Sequence, residues 1–328
     1  MASATTEGHA VHIDAFVRQE RLPSYTRRDY LSSDWQNALW QARIREVSCG
    51  PAVRPAADRC DPYTHRLEDT ARGSPSSVVP SPLAPAAPSE ICSRWRDKIV
   101  EWKYQIVDRF DLDRGLVAVS SFYLDRYLSM HYVDEELFQL AAMTSIYLAI
   151  KVHSTKKISI EAIASTGNGY ITDAHIQAME LDLLQGLDWN LHPPTAVGFI
   201  ENIFPILAAE LGSSSSGPDG TGAGLCPSLG GDTSGVLEFA KFLSELSVCA
   251  YPFVNARPSS VAIAALGYGF DYFALPPECK STLQQILIRH DLDMKTDEVK
   301  ECKKLLRRIY KLAMPNDCRG SWESMGSY

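Results

Sequence analysis

The residues of this chain that could bind a metal ion or act as nucleophiles include eight histidines and eight cysteines. The cysteines form no CxxC pair, and the histidines show no metal-ligand spacing. No serine or cysteine stands in a nucleophile motif. In a chain of 328 residues, scattered cysteines indicate reduced thiols inside a cell rather than a disulfide scaffold. The sequence therefore predicts a non-catalytic protein with no metal and no cofactor.

A Gly/Ser-rich stretch at residues 212–235 is the remaining candidate for chemistry, because glycine-rich loops can hold phosphate groups. It contains Gly220, Gly222 and Gly224. No strand is predicted before it, and the GxGxxG spacing is missing. We therefore interpret it as a flexible loop rather than a nucleotide site.

Four charged residues lie where helical spacing calls for apolar ones: Arg96, Asp125, Lys151 and Glu180. A charge removed from water costs several kcal/mol unless it is paired and hydrogen-bonded. Either these side chains reach solvent at the margin of an apolar stripe, or each has a partner within the protein or on another one. These four residues are the main candidates for function.

Helices must position these residues, since no proline occurs between Pro88 and Pro193 and the apolar spacing there is helical. Four helices are predicted near residues 94–110, 114–131, 134–152 and 160–165. Thr172 and Asp173 are typical N-cap residues and predict a fifth helix after them. A second set of five is predicted at 195–211, 237–250, 258–272, 278–290 and 297–312.

The predicted fold class is all-α, with two five-helix bundles in tandem. In the arm that precedes the two bundles, the spacing of Ile13, Phe16 and Val17 predicts a short amphipathic helix. Residues 35–43 predict a second one less clearly. The predicted organisation is an N-terminal helical arm (1–47), a disordered Pro/Ser-rich linker (48–90), a first domain (91–192), a second domain with the Gly/Ser loop (193–314) and a tail (315–328).

Charge and hydropathy exclude some partners. The formal net charge is −8, whereas a nucleic-acid surface normally needs an excess of Lys and Arg. No apolar run approaches the roughly 18 residues of a membrane helix, and the first residues lack the layout of a signal peptide. We expect an intracellular protein that binds neither nucleic acid nor membrane.

The segment WRDKIVEW…LDRYLS…AIK…ITDAHIQAMELDLLQGLDWNLHPPT closely resembles the cyclin box. Cyclins of the cell-cycle type read MRxxLxxW, [IL]DRFLS, LxAxK, an ME pair in the fifth helix and PT at its exit. Residues 95–199 follow this pattern essentially without gaps. Residues 237–267 and 12–20 resemble the second cyclin fold and the N-terminal helix of the family.

The resemblance implies a regulatory subunit that activates a cyclin-dependent protein kinase and controls cell-cycle progression in the nucleus and cytoplasm. It implies that Arg96 and Asp125 pair to tie the first two helices together. It also implies that Lys151 and Glu180 grip the backbone of the mobile regulatory helix of the kinase. The family's acidic residues after the lysine are replaced here by Val152, His153 and Ser154.

The family's substrate-docking groove is implied at Trp95, Ile99, Trp102 and Gln139, where an Arg-x-Leu type peptide would bind. The glutamate at the groove's edge is Gln105 here, which weakens selection for the peptide's arginine. Core packing is the alternative role of the two tryptophans. Ser74 and Ser81, each before a proline, are candidate phosphorylation sites.

Three alternatives stay open at this point. The nearest is a transcription-type or Pho80-like cyclin, because such forms also diverge after the lysine. A general transcription factor with the cyclin fold is less favoured, since such proteins usually carry a zinc ribbon and a basic repeat. An enzyme is least favoured.

Overall fold

A computed structural model describes residues 2–27, 30, 93–167, 169, 171–213 and 229–315. These residues form α-helices and two 3-10 turns, with no strand among them, so the all-α prediction is confirmed. The helices are α1 (Ala2–Glu20), α2 (Ser93–Arg109), α3 (Gly115–Leu128), α4 (Glu135–His153), α5 (Ile160–Ala164), α6 (Asp173–Gly186), α7 (Ala196–Ser213), α8 (Leu229–Cys249), α9 (Pro258–Tyr272), α10 (Pro277–Arg289) and α11 (Asp297–Ala313).

The first bundle, α2 to α6, is organised around α4. The Asp134 side chain caps α4 by accepting the N–H of Leu137 at 2.9 Å, and Lys151 and His153 lie in its last turn, where the helix dipole favours positive charge. Thr172 caps α6 as predicted: its hydroxyl oxygen accepts the His175 N–H, and His175 Nδ1 accepts the Thr172 N–H. These local signals fix the ends of the two helices that carry Lys151 and Glu180.

The second bundle, α7 to α11, surrounds α9. Every residue from Ser259 to Phe270 is buried, and small residues in that run let the neighbouring helices approach closely. Pro258 begins α9 at a position where its missing N–H costs nothing. Helix α8 begins at Leu229, eight residues before the predicted start at 237, so the Gly/Ser loop is shorter at this end than expected.

Helix α1 packs on the second bundle. Ile13 and Val17 are buried in its core, and the ring of Phe16 lies 5.4 Å from that of Phe199. At its end, Glu20 accepts the Ser259 hydroxyl at 2.6 Å and the Ser259 N–H at 3.2 Å. The arm helix is thus attached through both apolar and polar contacts.

Some predictions lie outside the described residues. They are the linker at 48–90, the second arm helix at 35–43, the candidate phosphorylation sites Ser74 and Ser81, and most of the tail at 315–328. No described helix is long and apolar enough to span a membrane. Nor is any group of three or more His, Cys, Asp and Glu side chains in this part of the chain placed to hold a metal ion.

Candidate functional site

Lys151 and Glu180 meet on the surface of the first bundle, where the end of α4 passes α6. Lys151 Nζ donates to Glu180 Oε1 at 2.7 Å. The Lys151 side chain is 52% exposed and that of Glu180 13% exposed. The hydrogen bond to Glu180 raises the pKa of Lys151, which keeps the lysine charged. Lys151 is therefore exposed to solvent, although helical spacing places it in line with apolar residues.

This pair retains hydrogen-bonding capacity. An ammonium group has three N–H donors and a carboxylate several acceptor positions, while the bond between them uses one of each. The two side chains can therefore donate to a carbonyl and accept from an N–H of another chain at once. Bonds of this kind, with one charged member, are stronger than neutral ones.

The chain that leaves α6 shares a cap motif with three other helix ends. At α2, α6, α9 and α10, a residue of positive φ follows the last turn, and the next residue donates its N–H to the carbonyl five positions back. This bond satisfies a carbonyl that the helix leaves free. The residues with positive φ are Asp111, Asp188, Ala274 and Asp291, and the donors after them are Leu112, Trp189, Leu275 and Leu292.

Trp189 differs from the three leucines at the same place in this motif. The leucines pack against the hydrophobic cores, as the residue after such a cap commonly does. Trp189 is 64% exposed and itself has a φ of 59°, which costs a side-chain-bearing residue on the order of 1–3 kcal/mol. Capping alone does not account for an exposed aromatic ring at this place, so Trp189 is a further candidate for contact with a partner.

His153 holds the segment that follows α6 against α4. Its Nε2 lies 2.7 Å from the Leu191 carbonyl oxygen, to which Tyr123 also donates its hydroxyl at 2.5 Å. Because a carbonyl only accepts, Nε2 carries a proton. Burial lowers the pKa of His153, which favours the neutral ring. At a position where the family pattern has an acidic residue, His153 thus anchors the segment that carries Trp189.

Arg96 and Asp125 form a second ion pair, and this one is buried. Arg96 Nε and Nη2 donate to the two Asp125 oxygens at 2.9 and 2.8 Å. Tyr30 donates its hydroxyl to Asp125 at 2.8 Å, and Arg96 Nη1 donates to the Val248 carbonyl at 2.8 Å. Burial alone would raise the pKa of Asp125, but Arg96 holds it below its ordinary value. The pair thus joins α2 and α3 to α8 of the second bundle and to the arm.

Lys103 lies close to this pair and was not singled out from the sequence. Its side chain is fully buried, and its Nζ has no hydrogen-bond partner. Burial lowers the pKa of Lys103 to about 7, against the attraction of Asp125. A signal existed: Arg96, Val100, Lys103 and Val107 share one helical face, and all four are buried.

The residues of the predicted docking groove are in part brought together. Trp95, Ile99 and Trp102 are half-buried against the first core on α2, and the Trp95 ring lies 6.2 Å from the Phe138 ring of α4. Gln139 follows Phe138 and is exposed. Peptide binding at these residues stays a prediction.

Two family models match the sequence across the first bundle and most of the second. The one described as "Cyclin, N-terminal domain" matches residues 74–192, and "Cyclin, C-terminal domain" matches residues 230–325. The chain belongs to the cyclin family. Cyclins are non-catalytic regulatory subunits, so the prediction that this chain is not an enzyme is confirmed by its family.

Curated relatives that this cyclin resembles include proteins named as mitotic cyclins. It is 30% identical over 178 residues to "G2/mitotic-specific cyclin-B" of Marthasterias glacialis, across 54% of this chain and 40% of that protein. It is 23% identical over 222 residues to "Putative cyclin-A3-1" of Arabidopsis thaliana, across 67% of this chain and 56% of that protein. The chain thus spans about half the length of these relatives.

A solved structure shares the fold. A chain of the CAK complex of Chaetomium thermophilum bound to ATP-gamma-S superimposes with a TM-score of 0.55 at 15% sequence identity. The match covers 92% of this cyclin and 83% of that chain. At this identity the likeness concerns the fold alone.

Proposed function

We propose that this cyclin is the activating subunit of a cyclin-dependent serine/threonine protein kinase and acts in cell-cycle progression. The observation that carries the proposal is the Lys151–Glu180 pair at the surface of the first bundle, in which Lys151 is exposed, Glu180 is partly exposed and both keep spare donors or acceptors. Relatives named as mitotic cyclins support the cell-cycle assignment.

The described surface also has exposed apolar residues suited to a protein partner. Leu181 follows Glu180 on α6 and is 47% exposed, and Trp189 lies just beyond the end of that helix. Large aromatic side chains are typical of the residues that dominate binding energy. Helix α1 offers a further exposed apolar residue, Val11.

Activation would follow from selective binding rather than from chemistry. A kinase without its cyclin seldom holds its regulatory helix in the position that aligns the catalytic glutamate with the ATP-binding lysine. In our proposal, Lys151 donates to a backbone carbonyl of that helix in its inward position, and Glu180 accepts a backbone N–H. A partner that binds one state more tightly shifts the equilibrium by that difference in affinity.

We further propose that Trp95, Ile99, Trp102 and Gln139 receive Arg-x-Leu type substrate peptides, and that the complex acts in the nucleus and cytoplasm. The exposed edge of the half-buried tryptophans would accept the leucine. With Gln105 in place of an acidic residue, the peptide's arginine would add little affinity.

The test is capture of the kinase by tagged full-length chain from its own cells, with mass spectrometry of the bound proteins. Wild type is expected to retain a cyclin-dependent kinase, and the double variant Lys151→Ala/Glu180→Ala to lose it. The matched control is Asp297→Ala/Lys300→Ala, which removes another exposed ion pair, on α11, and should retain the kinase.

The captured kinase also decides between types of cyclin. A kinase that acts on cell-cycle substrates supports the proposal, whereas one that acts on RNA polymerase would indicate the transcription-type alternative. Undiminished capture by the Lys151/Glu180 variant would contradict the role given to those residues.

A further inference from the structure

A cavity opens where the arm, the first bundle and the second bundle meet. The cavity between these elements has a volume of about 60 Å³. Its polar walls come from the arm, from α2 and α3, from the segment before α7 and from α8. The lining residues with polar or charged side chains are Arg27, Arg96, Ser121, Thr195 and Ser247. None of the described residues that line this cavity is acidic.

The described wall of this cavity carries two arginines and no carboxylate, while Glu20 lines the neighbouring pocket that shares Arg27. Asp125 is the carboxylate that attracts Arg27, Arg96 and Lys103 alike, and Arg96 takes both of its oxygens. Asp97 attracts only Arg96 of the three. Arg27 and Lys103 therefore have no carboxylate of their own among the described residues. Because burial lowers the pKa of Lys103 to about 7, Arg27, which lines the cavity, is the lasting positive charge of the two.

Arg27 is held in place by neutral groups. Its Nη2 donates to the Ala256 carbonyl at 3.0 Å, and its guanidinium lies 5.7 Å from the centre of the Phe122 ring. These contacts use one of five N–H donors and do not neutralise the charge. The remaining donors are fixed on a half-buried group that lines the cavity, which is the arrangement an anion requires.

Two hydroxyl groups on the cavity wall add donors. Ser121 is 3% exposed, and its Oγ has no hydrogen-bond partner; a buried hydroxyl without a partner costs about 1–3 kcal/mol. Thr195 Oγ1 accepts the Gly198 N–H at 3.1 Å, which leaves its own O–H free to donate. Both hydroxyl groups can therefore donate a hydrogen bond to an acceptor bound in the cavity.

We propose that this cavity binds a phosphate-sized oxyanion, held by Arg27, Ser121 and Thr195. An anion fits better than a neutral molecule, because only an anion offsets the uncompensated guanidinium and uses several donors at once. The group could come from free phosphate or from a phosphorylated side chain. In either case it would link the arm, through Arg27, to α3 and to the segment that leads into α7.

The test is thermal unfolding of the purified full-length chain at constant pH, with potassium phosphate titrated against potassium chloride at matched ionic strength. Binding to the folded state raises Tm with ligand concentration. We expect a saturable rise of a few degrees in phosphate beyond the effect of chloride. A phosphoserine peptide and its unphosphorylated form, titrated in parallel, distinguish the two sources.

Two variants and a control locate the effect. Arg27→Gln should weaken the apparent affinity for phosphate at least about tenfold, since bonds to charged groups contribute strongly. Ser121→Ala removes a hydroxyl that has no partner, so the protein should fold normally while its phosphate affinity falls. Arg308→Gln, on the exposed face of α11, should respond as wild type does.

The outcomes are decisive. A phosphate-specific shift that is lost in Arg27→Gln and kept in Arg308→Gln supports the site. Equal Tm values in phosphate and chloride, with no response to the phosphoserine peptide, overturn the proposal, and so does an undiminished response in Arg27→Gln. Kinase binding is not measured here, so the result is independent of the proposed function.

Discussion

The two ion pairs of the first bundle differ in what surrounds them. Arg96 and Asp125 have side chains 3% and 1% exposed, and their bonds extend to Tyr30 and Val248. Lys151 and Glu180 make one bond to each other at the surface. Both pairs join two helices of the same bundle, but one is enclosed by the fold and the other is open to a partner.

This difference separates structural from binding roles. Breaking a buried pair leaves an uncompensated charge inside the protein and costs about 3–5 kcal/mol, whereas an exposed pair contributes about 0–1 kcal/mol. Stability should therefore depend on Asp125 and hardly at all on Lys151. Binding of a partner should depend directly on Lys151 and on Asp125 only through the fold.

The largest expected effect on stability is that of Asp125→Asn. The substitution keeps the shape but leaves Arg96, Arg27 and Lys103 without the carboxylate that attracts them. We expect a loss of about 3–5 kcal/mol in the free energy of unfolding, seen as a fall in Tm on the order of 10 °C by calorimetry. Asp297→Asn, in an exposed pair, should shift Tm by less than about 2 °C. Similar shifts for both would contradict the distinction.

The next effect concerns Lys103, which is buried near the Arg96–Asp125 pair and belongs to neither ion pair. Replacing a buried charge by an apolar residue of similar volume is often stabilising by about 1–4 kcal/mol, so Lys103→Met should raise Tm. With a folded-state pKa of about 7 and an ordinary value of 10.5, the unfolded state binds more protons between these values. Wild-type stability should then rise as pH increases from 7 towards 10.

Lys103→Met should remove that contribution to the pH dependence. The measurement is urea unfolding across this pH range, with Lys98→Met as the control, since Lys98 is exposed on the same helix. Parallel pH profiles for wild type and Lys103→Met would show that Lys103 is not the titrating group.

The smallest effect on stability is expected for Trp189→Ala. Its side chain is exposed, so we expect a change within about 0.5 kcal/mol. Leu292→Ala changes the same position of the same cap motif at a residue only 7% exposed and should cost about 2–4 kcal/mol. Trp189→Ala should nevertheless weaken kinase capture. A stability loss as large as that of Leu292→Ala would assign Trp189 to packing.

Local features of this fold were predictable from sequence, and contacts between distant segments were not. The caps at Thr172 and Pro258 and the apolar face of Ile13 and Val17 are set by neighbours a few residues away, and the structure agrees with them. The early start of α8 was missed because Gly230, Gly231 and Gly235 favour a loop when only local propensity is considered.

The candidate site shows the same limit. The family pattern indicated Lys151 and Glu180, but their exposure depends on how α4 and α6 pack. The bond from Arg96 to the Val248 carbonyl joins residues 152 positions apart, and no spacing rule predicts it. Trp189 stands out only after its cap is compared with three others in space.

The most direct test of the central claim is activation of the captured kinase. The purified kinase is titrated with this cyclin, and phosphorylation of a peptide substrate is followed at saturating ATP. We predict strong activation by wild type, little by Lys151→Ala/Glu180→Ala at the same concentration, and a wild-type Tm within about 2 °C for that variant. Full activation by the double variant, or no activation by wild type, would contradict the account.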